Sequence, residues 1–114
     1  RRIKQLENDQ VIESKVALVN AEALELGLLV FVMIRALGHE PGWLAKFKSA
    51  VATMPEIIGA HRMSGDLDYV LRVRVRDVKS YDNFYQRLIA KVPIADLSAS
   101  FVMEDIKDTT ALPL

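Results

Sequence analysis

The apolar positions of this chain change period several times, and each change marks an element. Over residues 28–37 the run Leu-Leu-Val-Phe-Val-Met-Ile-Arg-Ala-Leu is β-branched, aromatic and apolar on both alternating faces. That pattern predicts a central strand covered on two sides. Gly38, His39, Glu40, Pro41 and Gly42 break it. Leu44, Phe47, Val51 and Met54 then recur at i, i+3, i+7 and i+10, the spacing of a helix's buried stripe, and Pro55 stops that helix. Residues 57–64 and 67–75 read as two further strands, and in the second Tyr69, Leu71, Val73 and Val75 alternate with Arg72, Arg74 and Arg76. Between them Ser64-Gly65-Asp66 predicts a tight hairpin of type II′ or I′, because glycine adopts positive φ without cost.

Asp77 predicts the cap of a second helix, whose apolar stripe is Val78, Tyr81, Tyr85, Leu88 and Val92 and which Val92-Pro93 ends. Residues 97–106 form the last predicted strand, with Leu97, Ala99, Phe101 and Met103 on one face and Ser98, Ser100, Val102 and Glu104 on the other. Residues 109–114 read as irregular. Upstream, Ile3 and Leu6 share a helical face among cations, as at the end of a helix already under way, and Val11, Ile12, Val16, Leu18 and Val19 alternate loosely as an extended linker. The predicted organisation is a helix end over 1–9, a linker strand over 10–27 and one domain over 28–114. The order βαββαβ is the ferredoxin-like pattern of the α+β class, an antiparallel sheet with two helices on one face. The other face is left bare, although the central strand is apolar on that side too. A second copy packed sheet against sheet is the simplest cover, with Arg72, Arg74 and Arg76 reaching a rim or meeting acids such as Glu104.

Composition narrows the function classes. A chain of 114 residues is the size of one domain, and 51% hydrophobic residues is high enough at that size to predict an oligomer. Fifteen Lys and Arg balance fifteen Asp and Glu, which argues against holding nucleic acid by the whole surface. There is no Cys, hence no disulfide framework, thiolate metal site or cysteine nucleophile, and the predicted compartment is the cytoplasm. The longest apolar run, residues 28–34, is far short of the roughly 20 residues that cross a bilayer, so no membrane partner is expected. His39 and His61 have no carboxylate cluster beside them to complete a metal site, and no phosphate-cradling glycine loop or Gly-x-Ser-x-Gly elbow is present. Neither metal nor cofactor is expected.

Three stretches carry a resemblance: Arg-Arg-Ile-Lys-Gln-Leu-Glu-Asn-Asp-Gln-Val-Ile at 1–12, Ser-Gly-Asp-Leu-Asp-Tyr at 64–69 and Thr-Thr-Ala-Leu-Pro-Leu at 109–114. Together they resemble the Lrp/AsnC (feast/famine) transcription regulators of bacteria and archaea, over nearly the whole chain. The resemblance implies a helix-turn-helix domain, a linker strand and a C-terminal RAM domain that binds an effector and oligomerises. Residues 1–8 then match the end of the DNA-recognition helix, the rest of which the chain lacks, and Arg1, Arg2 and Lys4 would position phosphates without reading bases. One departure is Pro93-Ile94-Ala95, where the family often has Pro-Gly-Val.

The resemblance also implies that the effector is a free amino acid, held near the hairpin in a cleft between neighbouring dimers. The chemistry of the hairpin agrees: Gly65 lets a backbone approach a ligand, Asp66 and Asp68 flank Leu67 and offer carboxylates to an ammonium group, and Tyr69 offers an aromatic wall. Met63 would line the apolar side, His61 is a weaker candidate nearby, and Ser98 and Ser100 would donate hydroxyls to a carboxylate. The blander alternative has the two aspartates shaping a turn, Tyr69 packing in a sheet and the serines facing solvent. Binding would bias the equilibrium between dimers and larger rings, tetramers or octamers, by differential affinity alone. Two competing classes are a small ferredoxin-like dimeric enzyme, for which no acid–base pair is evident, and a ligand-free assembly domain.

Overall fold

The structure, a computed structural model, describes residues 26–36, 41–66 and 68–114. The helix end over 1–9 with Arg1, Arg2 and Lys4, almost all of the linker over 10–27, His39 and Leu67 lie outside these residues. Six elements follow in the order β1 (Leu28–Ala36), α1 (Trp43–Thr53), β2 (Ile57–Arg62), β3 (Tyr69–Val75), α2 (Val78–Lys91) and β4 (Ile94–Phe101). They form one antiparallel sheet ordered β2-β3-β1-β4, so the α+β ferredoxin-like architecture read from the sequence is the one adopted. β1 is central, pairing Phe31 with Arg72 on one side and with Ser100 on the other. Both edge pairings are irregular, with a register shift between Ile57 and Gly59 in β2 and another between Arg35 and Ala36 opposite β4.

Strand alternation decides what is buried. Val30, Val32 and Ile34 of β1 and Leu71, Val73 and Val75 of β3 turn to the helices and form the core with Trp43, Phe47, Ala50, Phe84, Leu88 and Val92. The predicted stripe of α1 is displaced by one position: Trp43, Phe47 and Ala50 face the sheet, with Met54 just beyond, while Leu44 is 45% exposed and Val51 half-buried. The cause is the indole, which stacks on Phe47 at 5.1 Å and donates its Nε1–H to the Pro93 carbonyl, so Trp43 rather than Leu44 sets the rotation. α2 differs likewise. Phe84 and Leu88 carry its buried face, Tyr81 and Tyr85 are half-buried and Val78 is exposed. β4 starts at Ile94, directly after Pro93, and stops at Phe101 rather than Ile106, its last paired residue lying opposite Val30. The Val102 N–H donates to the Leu29 carbonyl at 2.9 Å, and Met103 beyond it is 93% exposed.

As predicted, Asp77 caps α2, its Oδ1 accepting from the Ser80 N–H at 2.8 Å, a bond that holds the carboxyl below its usual range. A second tie is an ion pair between Arg87 of α2 and Glu56, the residue before β2. Burial alone would raise the Glu56 carboxyl, but the hydrogen bond from Arg87 and the charge beside it bring it net below the ordinary carboxylate value. A depressed carboxylate stabilises the fold above its unfolded pKa, and that contribution is lost as pH falls through the folded value. Glu56→Gln is therefore expected to cost about 0.2–1 kcal/mol at neutral pH, given the partial exposure of the pair. Urea unfolding should show the two proteins converging once the pH is well below 4; a constant gap would refute it.

Candidate functional site

The hairpin between β2 and β3 is longer than its sequence suggested. The Met63 N–H donates to the Asp68 carbonyl at 2.9 Å, closing a loop over residues 64–67 rather than a two-residue turn. Gly65 has the expected positive φ, +96°, and a Cβ there would meet nothing within 4 Å, so the loop stands open to solvent. Met63 and Asp66 are exposed on it. Asp68 instead ties the loop down, because its N–H donates to the Ile34 carbonyl at 3.1 Å and its Oδ2 accepts from the Ala36 N–H at 2.7 Å. That pair of bonds fastens the loop to the end of β1, and it leaves one carboxylate oxygen of Asp68 without a bond from Ala36.

Tyr69 follows, on the helix side of the sheet. Its ring lies 4.6 Å from Phe47 and 5.6 Å from Trp43, centroid to centroid, so it packs as an aromatic cluster member. Ser98 and Ser100 sit opposite Met33 and Phe31, on the other face and at the far strand. One chain thus brings Met63, Gly65, Asp66 and Asp68 together, sends Tyr69 to the helix side, and separates both serines from all of them.

Two surfaces flank the hairpin. On the helix side, an open groove of about 270 Å³ between α1 and β2 is lined by Leu44, Phe47, Lys48, Val51, Ala52, Ala60, His61, Arg62 and Tyr69. Of these, the sequence singles out only His61 and Tyr69 as candidate ligand contacts; Leu44, Phe47 and Val51 read as the buried stripe of the helix, and Lys48 and Arg62 carry no signal of a groove. On the open side, Leu29, Phe31, Met33 and Val70 make an apolar strip, half-buried in the single chain. Of the cations expected to reach a rim or meet acids such as Glu104, Arg74 lines a small pocket together with Glu104 and Asp105. The Arg72 guanidinium lies across Gly59, where a Cβ would come within 2.7 Å of Nε, and Arg74 donates to the Leu26 and Gly27 carbonyls at 3.5 and 3.4 Å. Among the described residues no cluster of three His, Asp or Glu side chains could hold a metal.

The chain thus combines a βαββαβ sheet, one bare apolar face and an open hairpin anchored to β1. The Lrp/AsnC ligand binding domain family matches residues 29–112. DecR of Escherichia coli (strain K12), a DNA-binding transcriptional activator, is 46% identical over 115 residues, covering all of this chain and 76% of that protein. An AsnC family transcriptional regulator from Agrobacterium tumefaciens superposes with a TM-score of 0.79 at 48% identity, over 94% of this chain and 70% of that one. A Neisseria meningitidis transcriptional regulator solved in complex with L-methionine superposes with a TM-score of 0.78 at 26% identity, over 93% and 72%. The chain belongs to the Lrp/AsnC family, and it contains that family's ligand-binding domain.

Proposed function

We propose that this chain is the amino-acid-sensing and assembling part of a cytoplasmic transcription regulator, with the effector held at the Met63–Asp68 loop. The observation that carries the reading is the loop itself: a glycine in the left-handed region, an exposed Asp66 carboxylate beside it and an exposed Met63, all anchored to β1 through Asp68. Such a loop offers an acid to an ammonium group, free backbone and an apolar wall, the complement of an amino acid. The methionine complex of the Neisseria relative supports that ligand class. The strip of Leu29, Phe31, Met33 and Val70 supports a dimer paired face to face, whose two sheets would bring Ser98 and Ser100 near a neighbour. Tetramers or octamers follow from further contacts between dimers, and DNA is bound through the segment preceding the linker, with Arg1, Arg2 and Lys4 at its end.

Thermal unfolding against each common amino acid tests the reading, because a ligand of the native state alone stabilises it by RT ln(1 + [L]/Kd). At a hundredfold excess over Kd the gain is about 2.7 kcal/mol, or on the order of 10 °C for a domain of this size. Asp66→Ala is expected to abolish the shift while the melting temperature without ligand stays unchanged. An unaltered shift in Asp66→Ala would move the site elsewhere, and no shift with any amino acid would favour the ligand-free assembly domain.

A further inference from the structure

We propose that residues 102–114 form an arm that docks on a second copy of this chain, in the groove between that copy's α1 and β2. Four large apolar side chains after β4 are left uncovered by their own chain: Met103 is 93% exposed, Ile106 91%, Leu112 74% and Leu114 fully so. Single exposed apolar residues are ordinary, but such a density within one irregular segment marks a surface that something covers. The segment is held at its root by the bond from the Val102 N–H to the Leu29 carbonyl. Further on, Ala111 donates to the Thr109 hydroxyl and Leu114 to the Leu112 carbonyl, both within the segment. At its root Val102, Met103, Glu104 and Asp105 line a small pocket with Gly27, Leu29 and Arg74 of their own chain, while Ile106, Leu112 and Leu114 beyond it keep the exposure of a docking peptide.

The groove has the complementary chemistry. Its floor is apolar, with Leu44, Phe47, Val51 and Tyr69, its rim carries Lys48 and Arg62, and no acidic residue lines it. The arm joins those four apolar residues to Glu104, Asp105 and Asp108, against the single cation Lys107. An apolar and acidic strand laid in an apolar groove with a basic rim buries both kinds of surface at once.

The geometry points to another copy's groove. The arm leaves from β4, the edge of the sheet opposite β2, and at the end where β1 begins. The groove lies against β2 and runs toward Arg62 and Tyr69, which are in register with Ile34 near the end of β1. If two copies pair face to face about a two-fold axis along β1, the strand order is reversed across the interface, so that the partner's β3 lies above β4 and its β2 one strand further out, next to the edge from which the arm leaves. This placement rests on the dimer proposed above. The arm's root then starts beside the partner's bulged β2, where Ile58 is 48% exposed. A dozen extended residues span at most about 40 Å, enough to round that edge and enter the groove.

Because the chain contains no Cys, introduced thiols report cleanly. The double variant Leu44→Cys/Leu112→Cys, native by circular dichroism, is treated with a short flexible bis-maleimide, which tolerates an error in register, and run on a denaturing gel. Covalent oligomers absent from either single variant are expected. A faster-migrating monomer, meaning an arm folded onto its own chain, would overturn the proposal, and so would the absence of any link. Phe31→Cys, in the middle of the open face, separates the two readings. If it links across the two-fold and the arm pair does not, the arm proposal falls and the dimer stands; if the arm pair links and Phe31→Cys does not, the arm docks between copies and the face-to-face dimer falls.

Discussion

Met33→Asp is expected to leave the protein monomeric at concentrations where the native chain is a dimer, with its secondary structure intact. Met33 sits on the open face, its neighbours across the sheet being Val70 and Ser98, neither of which carries a positive charge to offset a carboxylate. In the single chain the face is open to water, so the substitution costs folding little. In a face-to-face dimer the two-fold puts an unpaired charge from each copy into an apolar interface, and removing charge from water without a partner costs several kcal/mol. Two such costs of about 2 kcal/mol each would raise the dissociation constant by roughly a thousandfold. Sedimentation equilibrium reads the change directly. A variant as dimeric as the native chain would mean that copies associate through some other surface.

Phe84→Ala should be the most damaging substitution to the fold itself. Phe84 is fully buried on α2, near Tyr81 at 6.0 Å between centroids, and packs into the same core as Val30, Val32 and Leu88. Truncating a buried phenylalanine costs about 3–5 kcal/mol, because the cavity left behind closes only in part. Against a total stability of roughly 5–15 kcal/mol for a small domain, that leaves a protein partly unfolded at moderate temperature. Val78→Ala on the same helix, at a position 59% exposed, should change stability by less than about 0.5 kcal/mol. Urea midpoints compare the pair. Similar losses for both would show that α2 presents a different face to the sheet.

The strands were the legible part of the sequence, because a period of two leaves little freedom: once Leu71, Val73 and Val75 are inside, Arg72 and Arg74 must be on the other face. Helices are less decisive. A period of 3.6 residues lets adjacent stripes on α1 look alike, and only a long-range contact, the indole of Trp43 on the carbonyl of Pro93, selects 43, 47 and 50 over 44, 47 and 51. Phe84 is hidden for a similar reason, since Tyr81, Tyr85 and Leu88 already make a plausible stripe without it. The hairpin's glycine was readable, whereas the loop's length depended on Asp68 reaching β1, a contact between residues 32 positions apart. For the site, the strand alternation itself separates Tyr69 from Ser98 and Ser100 by the thickness of the sheet.

The irregular edges of the sheet bear on how the protein behaves when crowded. An edge strand presents unpaired N–H and C=O groups, a template on which another chain can extend the sheet without limit. Here β2 is kinked between Ile57 and Gly59, and β4 begins against Pro93 with its ladder to β1 slipped between Arg35 and Ala36. Neither edge offers a long flat row of free donors on which a ribbon could grow. In the face-to-face dimer proposed above, association would use the broad face instead, two-fold pairing would use that surface up, and a chain rich in β-branched and aromatic residues would form a closed particle rather than a fibre.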